Sequence, residues 1–345
     1  MREELRLRLI ELGATDDEIA RAAAEGWLPL LAFDCMLMPG QKRYDLASLA
    51  AAAGIDEELA RRLWRAVGFP DVPAGVEAFT DRDVDAARLA FMQAPKSDIE
   101  RGTLLQQVRV ISGSLARIAS VEATGFADLL EELHAEYSSD DDVALAIFDD
   151  KRLVAVSALI DYLHRLQLRA AVWRVMVLAA EPGIAIAVGF ADLSGYTKLS
   201  AELDAPALSD LVGRWEAVAY DTIAANGARV VKTIGDEVMY VGLTRETVAA
   251  SLALRDAATA EGLPPLRIGL AAGPVVARDG DYFGPVVNLA SRLTELAAAG
   301  EILVPASLRD ELGPDPGLDV QWVPRGVQQV RSIGPAEIFA LERSR

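Results

Sequence analysis

Cysteine occurs once in the 345 residues, at Cys35, and histidine twice, at His134 and His164. A single cysteine excludes an intrachain disulfide and a thiolate zinc site, and two histidines exclude a multi-histidine metal centre. A lone thiol fits a reducing compartment. Long apolar runs are missing too: the strongest stretch, near 175–191, is broken by Glu181, Pro182 and Gly183, short of the ~20 residues a membrane helix requires. The opening residues, MREELRLRLIEL, alternate charge with leucine and hold no signal-peptide core. The expectation is a soluble, cytoplasmic protein. Basic charge is also scarce: 34 Lys and Arg stand against 52 Asp and Glu, a net charge of −18. Residues 1–180 and 181–345 are each acidic, so neither half offers the positive footprint of a phosphate-backbone binder.

What is present is ordinary globular composition, 52% hydrophobic and 25% charged, which excludes wholesale disorder. At ~150 residues per domain the length predicts two domains. Up to about residue 180 the apolar spacing is helical, as in Leu46, Leu49, Ala50 and Ala53, then Leu59, Leu63 and Val67. Breaks are expected at Pro39-Gly40, Gly54, Pro70–Gly75, Pro95 and Ser138–Asp142. The reading is a helical domain over 1–155 and a coupling helix and linker over 156–183, stopped by Glu181-Pro182-Gly183.

From 184 the period changes. Ile184, Ile186 and Val188 alternate as in a strand. A helix over 205–225, a hairpin through Val230-Val231 and Val238–Val241, and a helix over 245–261 follow. Then come strands at 266–272 and 274–277, a helix over 286–298 and a strand at 301–304. This order predicts an α+β chain: an all-helical domain, then a ferredoxin-like sheet over 184–345 with helices on one face.

Three motifs carry the chemistry. Phe190-Ala-Asp192-Leu-Ser194-Gly195-Tyr196-Thr197 sets a carboxylate where a strand gives way to a loop, and Lys232-Thr-Ile-Gly235-Asp236-Glu237 sets another at a hairpin tip. Strands that lie side by side would bring Asp192 and Asp236 together, a costly arrangement that a hard divalent cation relieves. The peptide N–H groups after Asp192 are candidates to receive a polyphosphate. Asp281-Tyr-Phe-Gly284-Pro-Val-Val-Asn288-Leu-Ala-Ser-Arg292 places an amide and an arginine at i, i+4 on one helix face. That pair suits a phosphate beside a ribose.

Together the motifs resemble those of class III nucleotidyl cyclases over residues 184–342. The resemblance implies an adenylyl cyclase that turns ATP into 3′,5′-cyclic AMP and pyrophosphate by attack of the ribose 3′-hydroxyl on the α-phosphate. It implies two divalent cations per site, Mg²⁺ or Mn²⁺, held by Asp192 and Asp236. Lys232 and Asp281 would read adenine, Asn288 would orient the ribose and Arg292 would stabilise the transition state. Lysine only donates and aspartate only accepts, which matches adenine N1 and N6 and opposes guanine. The family's triphosphate lysine near the carboxyl end has no counterpart; Arg325 in Trp322-Val-Pro-Arg325-Gly326 is the candidate instead. The resemblance further implies a homodimer with composite sites, Asp192 and Asp236 from one chain and the other four from its partner. The alternatives are a catalytically silent nucleotide-sensing relic and a diguanylate-cyclase-like enzyme, whose paired-glycine signature is broken here by Ile234 before Gly235.

In the first half, Tyr44–Phe69 and Phe79–Val84 resemble a winged helix-turn-helix of the MerR type. Residues 41–95 carry seven basic and nine acidic side chains, which argues against nucleic acid. A helical domain ahead of a cyclase domain resembles mycobacterial soluble cyclases with an autoinhibitory first domain, responsive to pH or fatty acids. For a proton the candidates are His134 and His164; for a fatty acid, the apolar stretch Trp27–Met38.

Overall fold

The computed structural model describes residues 1–92, 98–180, 185–313 and 317–344. The expected breaks at Pro95 and Glu181-Pro182-Gly183, and the first expected strand residue Ile184, lie outside them. The chain divides into two compact units, Met1–Arg169 and Ala170–Arg345.

The described residues of the first unit form helices: α1 (Glu3–Glu11), α2 (Asp16–Glu25), α3 (Leu28–Leu37), α4 (Leu46–Ala53), α5 (Glu57–Val67), α6 (Asp81–Met92), α7 (Asp98–Glu136) and α8 (Asp140–Asp149). A further helix, α9 (Arg152–Ala180), runs through the division between the units. Local chemistry fixes the starts. Asp45 accepts the Ser48 N–H at 2.8 Å while Ser48 Oγ accepts the Asp45 N–H at 3.0 Å, closing a capping box on α4. Two apolar clusters hold the unit. One joins Leu5, Leu9, Ile19, Leu28, Leu31 and Cys35 from α1 to α3 with Ala144 of α8. The other joins Leu46, Leu49, Leu59, Leu63, Phe79, Val84 and Leu105. Trp27–Met38 therefore serves mainly as core, and burial pushes the Cys35 thiol up to about 11. The expected wing is reduced, among the described residues, to a single bridge between Tyr44 and Phe79.

The second unit contains β1 (Ile186–Leu193), α10 (Tyr196–Glu202), α11 (Ala205–Ala225), β2 (Arg229–Ile234), β3 (Glu237–Leu243), α12 (Thr244–Ala260), β4 (Leu266–Gly273), β5 (Val276–Arg278), β6 (Asp281–Phe283), α13 (Pro285–Leu296), β7 (Ile302–Pro305), α14 (Ala306–Leu312), β8 (Val320–Val330) and β9 (Gly334–Arg343). Seven strands form one sheet in the order β2-β3-β1-β4-β7-β9-β8, and β5 and β6 form a separate ribbon. The β4–β7 pair is parallel and the other pairs are antiparallel.

Helices cover both faces of the sheet, which corrects the one-face expectation. The period of two explains why. Ala191 and Leu193 of β1, Val238 and Tyr240 of β3, and Ile268 and Leu270 of β4 turn to one core, shared with Trp215 and Ile223 of α11 and Leu252 and Leu254 of α12. Their neighbours Val188, Phe190, Met239, Val241 and Ala271 turn the other way and meet Ala290 of α13.

Gly269 fixes how closely α13 approaches. A Cβ there would lie 2.3 Å from the Ala290 carbonyl oxygen and 2.3 Å from the Thr294 nitrogen. Gly269→Ala must therefore lift α13 from β4, and overpacking of this kind costs ~1–3 kcal/mol. The expected result is a lower urea midpoint than wild type together with lost activity, because α13 carries Asn288 and Arg292. An unchanged midpoint would show that the helix has room to shift.

Candidate active site

Asp192 stands on β1 two residues beyond Phe190, on the α13 face of the sheet. The register pairs it with Glu237 on β3 and with Arg267 on β4. Directly paired residues share a face, so Glu237, Asp192 and Arg267 form a row across three strands. Arg267 Nη2 donates to Asp192 Oδ2. Asp236 reaches the row from the β2–β3 turn. Only Gly235 and Asp236 separate Ile234 from its partner Glu237, and Gly235 takes φ +63°, the left-handed value such a tight hairpin wants at its first position.

The electrostatics of this row are strained. Burial pushes the Asp236 carboxyl up to about 6, helped by its hydrogen bond to Asp192 and by the Asp192 charge, with Arg267 opposing. Burial pushes Glu237 up to about 7, aided by the charges of Asp192, Asp236 and Glu295, again against Arg267. Three carboxyls thus share one guanidinium, and a cation would relieve them. Among the described residues no group of three or more His, Cys, Asp or Glu is arranged to hold a metal by itself. Two carboxylates completed by substrate phosphates and water are, however, the donor set Mg²⁺ ordinarily takes. The residues present therefore fit a divalent cation.

A second group gathers on β2 and β6. Arg229 pairs with Val241 and Lys232 with Met239, both on the α13 face, because an extra residue at Val231 interrupts the ladder. Without that bulge the alternation would send Lys232 to the opposite face, and bulges re-aim side chains in this way. Lys232 Nζ donates to Asp281 Oδ2, and Asp281 Oδ1 accepts the Tyr282 N–H at 2.8 Å.

The third group is on α13, whose Ala290, Leu293 and Thr294 are buried. Asn288 is exposed and Arg292 half-buried, off that core face. Arg292 Nη1 donates to Glu295 Oε1.

The structure thus brings Asp192 to Asp236, brings Lys232 to Asp281, and sets Asn288 and Arg292 on one helix stripe. Among the described residues no hydrogen bond or ion pair joins one group to another. Arg325 meets none of them: it sits at the bulge of β8, an edge strand, and its Nε donates to Glu301 Oε1 at 2.7 Å. Of the peptide groups after Asp192, the Ser194 N–H is already given to the Pro265 carbonyl at 2.9 Å, so it is not free for a polyphosphate. Sequence reasoning missed Glu237, Arg267, Arg229, Tyr282 and Glu295. One signal was visible: Arg267 is the single charge in the otherwise apolar run Leu266–Ala272.

Residues 178–343 match the family described as the adenylate and guanylate cyclase catalytic domain. An adenylate cyclase of Streptomyces coelicolor is 34% identical over 87% of this chain and 80% of its own length. The chain belongs to the adenylate and guanylate cyclase family. A pH-sensitive adenylate cyclase of Mycobacterium tuberculosis is 32% identical to this cyclase over 97% of the chain and 86% of its own length. The solved adenylyl cyclase CyaB of Pseudomonas aeruginosa is 28% identical, over 47% of this chain and 95% of its own, with a TM-score of 0.40. The protein is accordingly an enzyme, a nucleotidyl cyclase of a divalent-metal-dependent family that acts on nucleotides. Among the described residues no helix of the cyclase is long and apolar enough to cross a membrane.

Proposed function

We propose that the cyclase converts ATP to 3′,5′-cyclic AMP and pyrophosphate at composite sites between two copies of the chain. The observation that carries this reading is the crowding of Asp192 and Asp236, whose carboxyls share one guanidinium, with burial and then the Asp192 carboxyl pushing Asp236 up to about 6. Asp192 and Asp236 would hold two divalent cations, Mg²⁺ or Mn²⁺, and cations there supply Lewis-acid charge to the triphosphate and the 3′-hydroxyl. Arg267, beside Asp192, brings a further positive charge to that end.

Lys232 donates to adenine N1 and Asp281 accepts from the N6 amino group. Asn288 holds the ribose so that the 3′-oxygen faces the α-phosphorus. In the reaction a bond forms between that oxygen and the α-phosphorus, the bond to the bridging oxygen of the leaving pyrophosphate breaks, and the hydroxyl proton passes to solvent. Arg292 meets the charge that develops on the α-phosphate, a contribution of ~3–4 kcal/mol by analogy with oxyanion donors. In the single chain it is tied to Glu295 and must exchange that partner. Arg325 would have to leave Glu301 to reach a triphosphate.

What supports composite sites is that the α13 group makes no hydrogen bond or ion pair to the carboxylate group among the described residues. Asn288 is exposed on α13, and within one chain no polar contact ties it to Asp192. The test is incubation with ATP or GTP and Mn²⁺ or Mg²⁺, with the product identified by mass. Cyclic AMP from ATP is expected. No product would favour a silent nucleotide sensor, and cyclic diguanylate from GTP a diguanylate-cyclase-like enzyme.

In this reading the helical unit regulates and α9, a continuous helix of 29 residues, is the coupling element. The regulator is an apolar chain with an acidic head, such as a fatty acid. Its support is a cavity of about 560 Å³ in the first unit, lined by Leu46, Leu49, Leu63, Trp64, Phe69 and Phe79 among others. Lys42 is the one cation in the lining, and Met38 and Asp34 are what Trp27–Met38 contributes to it. Oleate is expected to change the specific activity of wild type, and Ala60→Trp, which fills the cavity, to remove that response. An identical response in both proteins would sink the lipid assignment. For a proton the candidate in this chain is His134, whose Nε2 lies 3.7 Å from Asp140 Oδ1.

A further inference from the structure

Arg229 is not used by the mechanism above, yet it is placed with unusual cost. It lies half-buried on β2, on the same face as Lys232 because of the bulge at Val231. Its Nη2 donates to the Tyr282 hydroxyl at 3.2 Å, and its guanidinium carbon lies 5.8 Å from the centre of the Tyr282 ring. Its Nε is buried with no hydrogen-bond partner. An unmatched buried donor is a cost that the placement of the residue has to offset.

The partner explains the cost. Tyr282 sits in β6 next to Asp281, and the β5–β6 ribbon is not hydrogen-bonded into the seven-stranded sheet. Side-chain ties join the ribbon to β2 from Lys232 to Asp281 and from Arg229 to Tyr282. The first tie is made of the two groups assigned to the purine, so it must loosen as Lys232 and Asp281 turn to the base. The second tie involves no base-reading atom.

We propose that Arg229 is a positioning residue for purine recognition: by holding the Tyr282 hydroxyl it clamps the β5–β6 ribbon on β2 and keeps Asp281 in register with Lys232 while both engage the base. This inference rests on the assignment of Lys232 and Asp281 to adenine. A side chain at position 229 without a planar fork of donors would leave the ribbon free to drift, and the loss would fall on nucleotide binding and base choice rather than on the phosphoryl step.

The test uses the full chain with Arg229→Met, which keeps the apolar stem and removes the fork, Arg229→Lys, and Tyr282→Phe, which removes the hydroxyl alone. Hydrogen exchange of residues 276–283 is measured without nucleotide, and KM and kcat are measured for ATP and GTP. In Arg229→Met the ribbon is expected to exchange faster while β1 and β4 stay as in wild type. KM for ATP is expected to rise about tenfold with kcat within about threefold, because a ribbon no longer held on β2 presents Asp281 poorly to the base in ground and transition states alike. The preference for ATP over GTP is expected to narrow. Tyr282→Phe should reproduce these changes, the double variant should be no worse than either single one, and Arg229→Lys should recover part of the loss. Unchanged exchange in the ribbon overturns the clamp, and faster exchange with unchanged KM and base preference overturns its role in recognition. If Arg229→Met does not fold, Tyr282→Phe carries the same readouts. Failure of the purine assignment itself is read separately: Lys232→Gln and Asp281→Asn would then leave the ATP preference intact, while the exchange measurement still reports on the clamp.

Discussion

Asp192→Ala and Asn288→Ala proteins, each inactive alone, are expected to recover about a quarter of wild-type specific activity when mixed in equal amounts and allowed to exchange subunits. The fraction follows from symmetry. A twofold dimer with composite sites has two of them, each built from the carboxylate group of one chain and the α13 group of the other. In the mixed dimer one site combines both lesions and the other combines none. Half the dimers are mixed at equilibrium, and half of their sites are intact. Asp192→Ala with Asp236→Ala is the control: both lesions lie in the carboxylate group, so no mixed dimer has a whole site and no recovery is expected. Each single variant should lose ~10²–10³ or more in kcat, the scale of removing one electrostatic element from a transition state. Asp192→Ala also strips Arg267 of its carboxylate. Asp192→Asn keeps a hydrogen-bond acceptor beside Arg267 and separates loss of charge from loss of packing, with thermal melting as the check. Heterodimers verified by two affinity tags that show no activity would defeat the shared site and place each catalytic set within one chain.

The carboxylate pair was legible in the sequence because its two halves sit at places with strong local signals. Asp236 follows a glycine at a hairpin tip, and Asp192 ends an apolar strand. Helix α11 was legible to the residue, since Asp204 accepts the Ala207 N–H at 2.9 Å and Asn226-Gly227 stops the helix. What was not legible depended on register. Glu237 and Arg267 enter the site only because β1 lies between β3 and β4, and no local pattern says which residues face each other across two ladders. The bulge at Val231 is hidden for the same reason: it is a mismatch between two strands and leaves no mark on either alone. The β6 strand is three residues long between turns, too short for its alternation to be seen. The placement of α13 opposite α11 and α12 follows from which alternate residues are apolar, and β1 and β4 are apolar on both faces. The winged module failed differently. Its helices α4 and α5 are present, but the segment from Pro70 to Ala78 forms no strand and is held instead by Trp64 on the Pro70 carbonyl, Arg65 on Asp71 and the Ala78 N–H on Tyr44.

Lys232→Glu is expected to lower kcat/KM for ATP by ~10³–10⁴, because it sets an acceptor against adenine N1, itself an acceptor, and leaves both unpaired in a half-closed site. Guanine at the same place offers an N1 donor, so turnover of GTP should fall far less and the ATP-to-GTP ratio should collapse. The substitution has a second effect that must be separated from the first. Lys232 neutralises Asp281 in the free chain, and a glutamate there would repel it. Lys232→Gln removes the repulsion: its amide can donate or accept, so ATP turnover should fall by only ~10–10² while the ratio still narrows. Asp281→Asn makes the converse change, turning an obligate acceptor into a group that can also donate, and should narrow the ratio from the other side of the base. The decisive quantity is therefore the ratio of kcat/KM for the two nucleotides across the three variants, since a displaced ribbon lowers both values together whereas a base-reading pair changes their quotient. A quotient that stays at its wild-type value in all three would remove Lys232 and Asp281 from purine recognition and leave the chemistry of Asp192 and Asp236 untouched.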